Sequence, residues 1–270
     1  METPTNSSRT IQSVETTFTL LDEIRRRNGA GVTELADVLD LSKSAVHHHV
    51  ATLEKENFLT KIDGKYRIGL RFLTFGSHSR KKEEIFENGK NDADTLARKT
   101  GETVRLIVEN SGYGLTLYQS TGQKVENPRT HLGMVEHLHS TAAGKAFLAA
   151  LPQEEVETII EEWGLKQFTE NTITEREELQ RELKQIREHG FAFDDREQFD
   201  EIRCVATTIT ADSGDLLGAI SIAAPIDRMD DHRFRYELPR LLQNVVEMIE
   251  RVDEYRFRHE LPCISRTLPK

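Results

Sequence analysis

The chain has 270 residues, of which 37% are hydrophobic and 30% charged, enough for two compact domains with packed cores. It contains no run of about 18 apolar residues and no signal-peptide pattern, so we expect no membrane partner. Two cysteines, Cys204 and Cys263, are too few for a disulfide framework and fit a reducing compartment. We therefore expect a cytoplasmic protein.

The formal net charge of −10 at pH 7 excludes a protein that is basic throughout. The charge is unevenly distributed, however. Residues 1–80 contain 11 lysines and arginines against 10 acidic residues, whereas the remaining residues contain 25 against 36. An acidic body repels phosphate, but a near-neutral head can present a basic face to it. The first 80 residues are therefore the candidate region for a nucleic-acid partner.

Three helices are predicted at the start of the chain. Apolar residues at helical spacing predict the first over 11–27, followed by the helix-ending pair Asn28-Gly29. Thr33 is a suitable N-cap for a short second helix, and Ser42 for a third after a tight turn at 40–42. The side chains expected to face the core are Val14, Phe18, Leu21, Ile24, Leu35, Ala36, Leu39, Val46, Val50 and Leu53. This is the helix-turn-helix pattern, whose last helix lies in the major groove of DNA.

A β-hairpin is predicted directly after the third helix. The stretch "FLTKIDGKYRIGL" has two short strands around Asp63-Gly64, a pair suited to a type I′ turn. Lys61, Lys65 and Arg67 surround that turn, as in the wing of a winged helix that contacts phosphate or the minor groove. A winged helix that makes only protein contacts is the alternative. The basic hairpin and the charge asymmetry favour DNA.

Three consecutive histidines, His47, His48 and His49, lie in the third predicted helix. Neighbouring helical residues point about 100° apart, so the three imidazoles cannot converge on one metal ion. With Val46 and Val50 facing the core, His47 and His48 face outward and His49 lies at the boundary. An exposed imidazole can hydrogen-bond a base edge or a phosphate. We therefore favour DNA contact over a metal site.

The first turn of the third helix offers further DNA contacts. Lys43 and Ser44 lie there, where side chains can contact phosphate or read a base. The residues that we expect to contact double-stranded DNA are Thr33, Ser42, Lys43, Ser44, His47, His48, Lys61, Lys65 and Arg67.

The remaining chain predicts an α+β domain. A polar helix over 77–100 is followed by alternating strands over 102–110 and 113–120. Helices are predicted over 142–151, 152–163 and 174–189, a short strand over 191–195, and a hairpin of 203–211 and 216–224 around 212–215. One apolar face of a long final helix is formed by Leu238, Leu241, Leu242, Val245, Ile249 and Val252.

These motifs together resemble the IclR family of transcriptional regulators. The head contains "GVTELADVLDLSKSAVHHHVATLEKENFL" and "GKYRIGLRFLTFG"; the body contains "TGETVRLIV", "HSTAAGKAFLAALP", "TENTIT", "ELKQIREHGFAFDDRE" and "RCVATTI". The resemblance spans about residues 9–255. It implies a winged helix-turn-helix over 9–76, a linker helix over 77–100 and a GAF-like effector-binding domain over 101–258. It also implies a homodimer or tetramer that binds an inverted-repeat operator.

The resemblance also implies a site for a small catabolic effector and no cofactor. The residues it assigns to the effector are Ala142, Ala143, Gly144, Asp194, Cys204 and Ser221. A helix N-terminus such as that at Ala142 suits a carboxylate. Two positions depart from the family pattern. Glu201 replaces a common glycine, which is expected to alter the loop over the pocket, and Ala223 replaces a second serine, which suggests a less polar or differently oriented effector.

Two other functions remain open on the sequence alone. The first is a small-molecule enzyme with an accessory winged helix, acting through Cys204 and Asp194. The second is a non-specific DNA-binding protein. A nucleotide site is disfavoured, because "AAGKAF" has His139 and Ala146 where a P-loop needs glycine and Ser/Thr. We expect a regulator with no catalytic residue and no bound metal.

Overall fold

The computed structural model describes residues 10–211 and 213–259, with side chains up to residue 249. The predictions that involve Arg9, Asp212, Cys263 and the side chain of Val252 lie outside the described residues. The chain divides into two compact units between Ser79 and Arg80. Among the described residues, no helix is long and apolar enough to span a bilayer.

The N-terminal unit is a winged helix-turn-helix. Its elements are α1 (Gln12–Arg26), α2 (Val32–Leu39), α3 (Lys43–Lys55), β1 (Leu59–Ile62), β2 (Lys65–Ile68) and α4 (Phe72–Arg80). Positive φ angles at Asp40, Asp63 and Gly64 form the turn before α3 and the hairpin turn, as the sequence predicts. Ser42 caps α3, since its Oγ accepts a hydrogen bond from the Ala45 N–H at 3.1 Å.

Two sequence predictions in this unit are wrong. Thr33 lies inside α2, and the N-cap is Gly31, whose N–H donates to the Glu34 carboxylate at 2.8 Å. Val14 and Phe18 are exposed, and the core contains Leu20, which was not predicted, together with Ile24, which was. The reason is that only the last two turns of α1 reach the core, where they meet side chains of α2, α3 and the hairpin. The first half of α1 keeps its apolar side chains outside.

The C-terminal unit confirms the predicted α+β class. Its elements are α5 (Glu84–Thr100), β3 (Thr103–Asn110), β4 (Tyr113–Thr121), β5 (Val135–His137), α6 (Ala142–Ala150), α7 (Gln153–Trp163), α8 (Arg176–His189), β6 (Ala192–Asp195), β7 (Ile202–Thr210), β8 (Leu216–Pro225) and α9 (Leu238–His259). The helix expected over 77–100 is two elements, because α4 ends at Arg80 and α5 begins at Glu84. The short strand β5 was not predicted.

Six antiparallel strands form one sheet in the order β5-β4-β3-β8-β7-β6. Successive side chains of a strand point to opposite faces. In β8, Ile220 and Ile222 join the core that contains α5 and α9, whereas Ala219 packs with α6 and α8. Ser221 and Ala223 share the second face by this alternation. Small side chains on that face leave room for a cavity.

A buried glutamate ties the end of α5 to the segment that precedes α9. The Glu102 carboxylate, which is fully buried, accepts from Arg228 at 2.8 Å and from Arg233 at 3.1 Å. Arg233 also donates to the Thr100 carbonyl oxygen at 3.0 Å. Arg233 begins a π-helical turn, Arg233–Glu237, that the sequence analysis did not predict. Glu102 therefore holds two arginines in place at once.

Replacing Glu102 with alanine is expected to lower the free energy of unfolding by about 3–5 kcal/mol, because two partly buried guanidinium groups lose their carboxylate. Chemical denaturation followed by circular dichroism measures this change. Glu157→Ala, which removes the half-buried partner of the exposed Arg176, is the control, and its effect should stay within about 1 kcal/mol. Equal effects of the two variants would contradict the role given to Glu102.

Candidate DNA-binding surface and ligand cavity

Helix α3 has one buried apolar face and one exposed polar face. Val46 and Val50 are buried in the core of the N-terminal unit, and Leu53 packs against it. The polar residues predicted for DNA contact lie on the outer side: Ser42, Lys43, Ser44, His47 and His48 are all exposed. The helix therefore presents donors and a positive charge to solvent while its apolar residues anchor it, which is the arrangement that insertion into a major groove requires.

His49 has a different environment from its two neighbours. It is half-buried, and its Nδ1 lies 2.8 Å from Thr17 Oγ1 on α1. The triplet is therefore divided, as expected, into two exposed imidazoles and one that fastens α3 to α1. Among the residues whose side chains the structure describes, 10–211 and 213–249, no group of three or more histidine, cysteine or acidic side chains could hold a metal ion.

The basic residues of the hairpin do not form one cluster. Lys61 pairs in register with Tyr66 and its ammonium lies 5.1 Å from that ring, so both occupy one face. Lys65 and Arg67 lie on the opposite face. Lys65 also forms an ion pair with Glu34 on α2 at 3.2 Å, and that contact helps to lower the Glu34 pKa, after the backbone hydrogen bond from Gly31. The predicted wing thus offers charge on two sides.

In the C-terminal unit a cavity of about 370 Å³ lies on the α6 face of the sheet. Its walls come from β3, β5, β6, β7 and β8, from the loop at 124–130 and from the segment at 198–202. Of the six residues that the sequence assigns to an effector, Asp194 and Cys204 line this cavity. The volume lies at the lower end of the range for small-molecule sites.

The other four assigned residues are buried but are not among the described lining residues. Ala142, Ala143 and Gly144 form the first turn of α6, where Thr141 Oγ1 already accepts from the Gly144 N–H at 3.1 Å. Gly144 lies so close to the Leu138 backbone that a Cβ would be 2.2 Å from its carbonyl oxygen. Ser221 lies on β8 opposite Ala206 and Arg105. Their contact with an effector stays a prediction.

Asp194 is a buried carboxyl with an unusual protonation state. Burial, together with the nearby charge of Glu197, raises the pKa of Asp194 to about 8, although the backbone N–H of Glu197 donates to its Oδ1 at 2.7 Å. Behind it, Glu197 forms a 2.5 Å ion pair with the buried ammonium of Lys145. At neutral pH Asp194 is therefore mainly a neutral carboxyl that can donate a hydrogen bond into the cavity.

A second charged pair lines the same cavity and was missed by the sequence analysis. Arg105 on β3 donates to Glu136 on β5 at 2.5 Å, and each side chain is 4% exposed. Because Glu136 lies on a three-residue strand, no sequence pattern indicated its position. A signal for Arg105 did exist, since an arginine interrupts the apolar run "TVRLIV" of a central strand.

The cavity also has a contact at its outer edge. Glu201, which stands where the family that the sequence resembles commonly has a glycine, lies 3.0 Å from Arg129 of the loop at 124–130 that lines the cavity. Both side chains are mostly exposed, so water screens this ion pair strongly. An effect of Glu201 on the loop stays a prediction.

Two family models match the chain: the IclR helix-turn-helix domain over residues 13–63, and the bacterial transcriptional regulator IclR C-terminal domain over residues 78–251. Together they cover most of the sequence. The chain belongs to the IclR family. It is therefore a transcriptional regulator that binds DNA through its helix-turn-helix.

Similar proteins span nearly the whole length. A probable HTH-type transcriptional regulator ArcR of Halobacterium salinarum is 32% identical, over 89% of this chain and 94% of its own. The transcriptional repressor IclR of Escherichia coli is 29% identical, over 83% of both. The solved structure of the Thermotoga maritima IclR aligns with a TM-score of 0.73 at 29% identity, over 90% of this chain and 99% of that one.

The enzyme alternative for Cys204 and Asp194 finds no support in this IclR-family chain. Burial raises the pKa of the Cys204 thiol to about 12, so it is not a thiolate near neutral pH. Its neighbour across the strand pair is Asp194, a neutral carboxyl under those conditions. A reactive cysteine needs the opposite environment, with a lowered pKa or an adjacent base.

Lys43→Ala and His47→Ala are each expected to weaken binding to the specific DNA site by about 1–3 kcal/mol, because each removes a side chain predicted to contact a base or a phosphate. Fluorescence anisotropy with a DNA fragment that contains the specific site, identified by footprinting, measures the loss of affinity. Both side chains are exposed, so folding should be unaffected. Lys184→Ala, an exposed lysine on α8, is the charge-matched control and should bind like the parent. Parental affinity in both helix variants would refute the assignment.

Proposed function

We propose that this regulator binds an inverted-repeat operator as a homodimer or tetramer, and that a small carboxylate effector in the cavity controls that binding. The exposed polar face of α3, anchored by Val46 and Val50, supports the DNA contact. Because its DNA partner is cytoplasmic, we place the protein in the cytoplasm. The observation that supports the effector site is the cavity lined by Asp194 and Cys204, and the regulatory part of the proposal depends on it.

Exposed apolar side chains in the N-terminal unit support self-association. Val14 and Phe18 on α1 and Leu73 and Phe75 on α4 are large and exposed. Exposed apolar surface of this kind is typical of a protein interface. A symmetric dimer presents two copies of α3, and two-fold symmetry in the protein requires two-fold symmetry in its operator.

The pKa of Asp194 makes carboxylate binding pH-dependent. Below about pH 8 the neutral carboxyl donates to a bound carboxylate, whereas above that pH the ionised group repels it. Affinity for a small acid such as L-lactate, measured by titration calorimetry, is therefore expected to stay constant from pH 6 to 7.5 and to fall about tenfold per unit above pH 8. Asp194→Asn should remove the fall. The same fall in that variant would argue against Asp194 as its source.

Footprinting on the DNA upstream of the protein's own gene tests the proposal as a whole. We expect a protected site with two related half-sites, and a small carboxylate that changes the affinity for it. Random DNA of equal length is the control, because non-specific binding depends on salt but not on sequence. Equal affinity for both DNAs across a range of salt concentrations would indicate the non-specific DNA-binding alternative.

A further inference from the structure

The Arg105–Glu136 ion pair has no structural explanation within the described residues. Both side chains are buried and both line the cavity. A buried ion pair contributes little net stability, because the cost of removing two charges from water offsets their attraction. Apolar side chains of similar size would stabilise the domain equally well. The pair therefore requires another reason to be present at this position.

Polar atoms of this pair are left without strong hydrogen-bond partners. Among the described residues, Arg105 Nε, Glu136 Oε1 and the neighbouring Ser221 Oγ are buried and lack an oxygen or nitrogen partner, and the Cys204 thiol interacts with Arg105 and Ser221. Ser221 lies directly opposite Arg105 in the sheet. Buried polar atoms are almost always paired in folded proteins, and a thiol is only a weak hydrogen-bond partner. Arg105 and Glu136, which line the cavity, therefore have hydrogen-bonding capacity left for a ligand.

The chemistry of the pair defines that ligand. Arg105 can only donate and the Glu136 carboxylate can only accept, so together they match a hydroxyl group, which does both. Arg105 is positioned by β3 at the centre of the sheet, and Glu136 by its pairing on β5. Groups held by strands keep a fixed geometry and discriminate better than groups on loops.

Basic side chains that line the cavity indicate a second group on the ligand, a carboxylate. Lys124 lines the cavity and donates to the Thr100 carbonyl oxygen at 3.3 Å, with no carboxylate partner among the described residues. Arg129 and Arg228 also line it, each paired with an acidic side chain. A cation without a carboxylate partner that lines the same cavity as a donor–acceptor pair suits a molecule that has both a carboxylate and a hydroxyl group.

We propose that the Arg105–Glu136 pair is a specificity-determining element that binds a hydroxyl group of a hydroxycarboxylate effector. This inference rests on the proposed function, since it assumes that the effector occupies the cavity. The pair selects hydroxylated acids because an acid without the hydroxyl leaves its buried polar atoms unpaired. Of the two alternatives drawn from Ala223, a less polar or a differently oriented effector, this inference favours the second.

Matched acids test the selection on the full-length protein. Titration calorimetry compares L-lactate with propionate and D-gluconate with hexanoate, which are similar in size and differ in hydroxylation. In at least one comparison the hydroxylated acid is expected to bind about tenfold or more tightly, the range for a hydrogen bond to a charged group. Equal affinities in both comparisons, or no binding of any of the four acids at millimolar concentration, overturn the inference.

Variants of the pair test its role. Arg105→Met/Glu136→Leu keeps volume and removes both charges, so the domain should remain folded. Its preference for hydroxylated acids is expected to fall to within about twofold, and Glu136→Gln should reduce the preference partly. Arg176→Met/Glu157→Leu, an ion pair outside the cavity, is the matched control and should keep the full preference. A full preference in the double variant of Arg105 and Glu136 overturns the inference.

A cavity-blocking variant separates this inference from the proposed function. Ala223 lines the cavity, so Ala223→Phe should abolish binding of every acid if the cavity is the effector site. Unchanged binding in Ala223→Phe overturns the proposed effector site and the inference with it. Binding that is lost in Ala223→Phe but shows no hydroxyl preference in the parent overturns the inference alone.

Discussion

Burial of charge on one face of the six-stranded sheet is the constraint on which the C-terminal unit depends. Arg105, Asp194 and Lys145 are all almost fully enclosed. Each is tolerated for a different reason: Arg105 by its pairing with Glu136, Asp194 by protonation, and Lys145 by two nearby carboxylates. An unpaired buried charge would cost several kcal/mol. These groups are consequently held in fixed positions, so the hydrogen-bond donors and acceptors that line the cavity are fixed as well.

The two faces of the sheet have different roles: one forms the hydrophobic core and the other lines the cavity. The face that packs on α5 and α9 is lined mainly by apolar side chains, among them Leu106, Ile220 and Ile222. The opposite face has alanines where it meets α6 and polar side chains where it meets the cavity. Since a strand alternates its side chains, one continuous segment such as β8 supplies apolar core on one side and ligand surface on the other.

The N-terminal unit has a small core, and the ends of its elements are set by local sequence signals. Its core is formed by a few residues of α1, α2, α3 and the hairpin, and caps and positive-φ turns define where each element begins. These signals are local, so α3, its Ser42 cap and the hairpin turn at Asp63-Gly64 were predicted correctly. The exposure of Val14 and Phe18 was not, because helical spacing shows which residues share a face but not how far along a helix the core extends.

The sequence by itself determined the order and type of most elements, the outward direction of His47 and His48, and the family, because periodicity, capping and turn chemistry act within a few residues. Only the tertiary structure decided that Arg105 meets Glu136, 31 residues away, and that Asp194 and Cys204 line the cavity while Ala142 and Ser221 do not. Those facts depend on strand order and register. Both are set by packing across the sheet, which no local pattern contains.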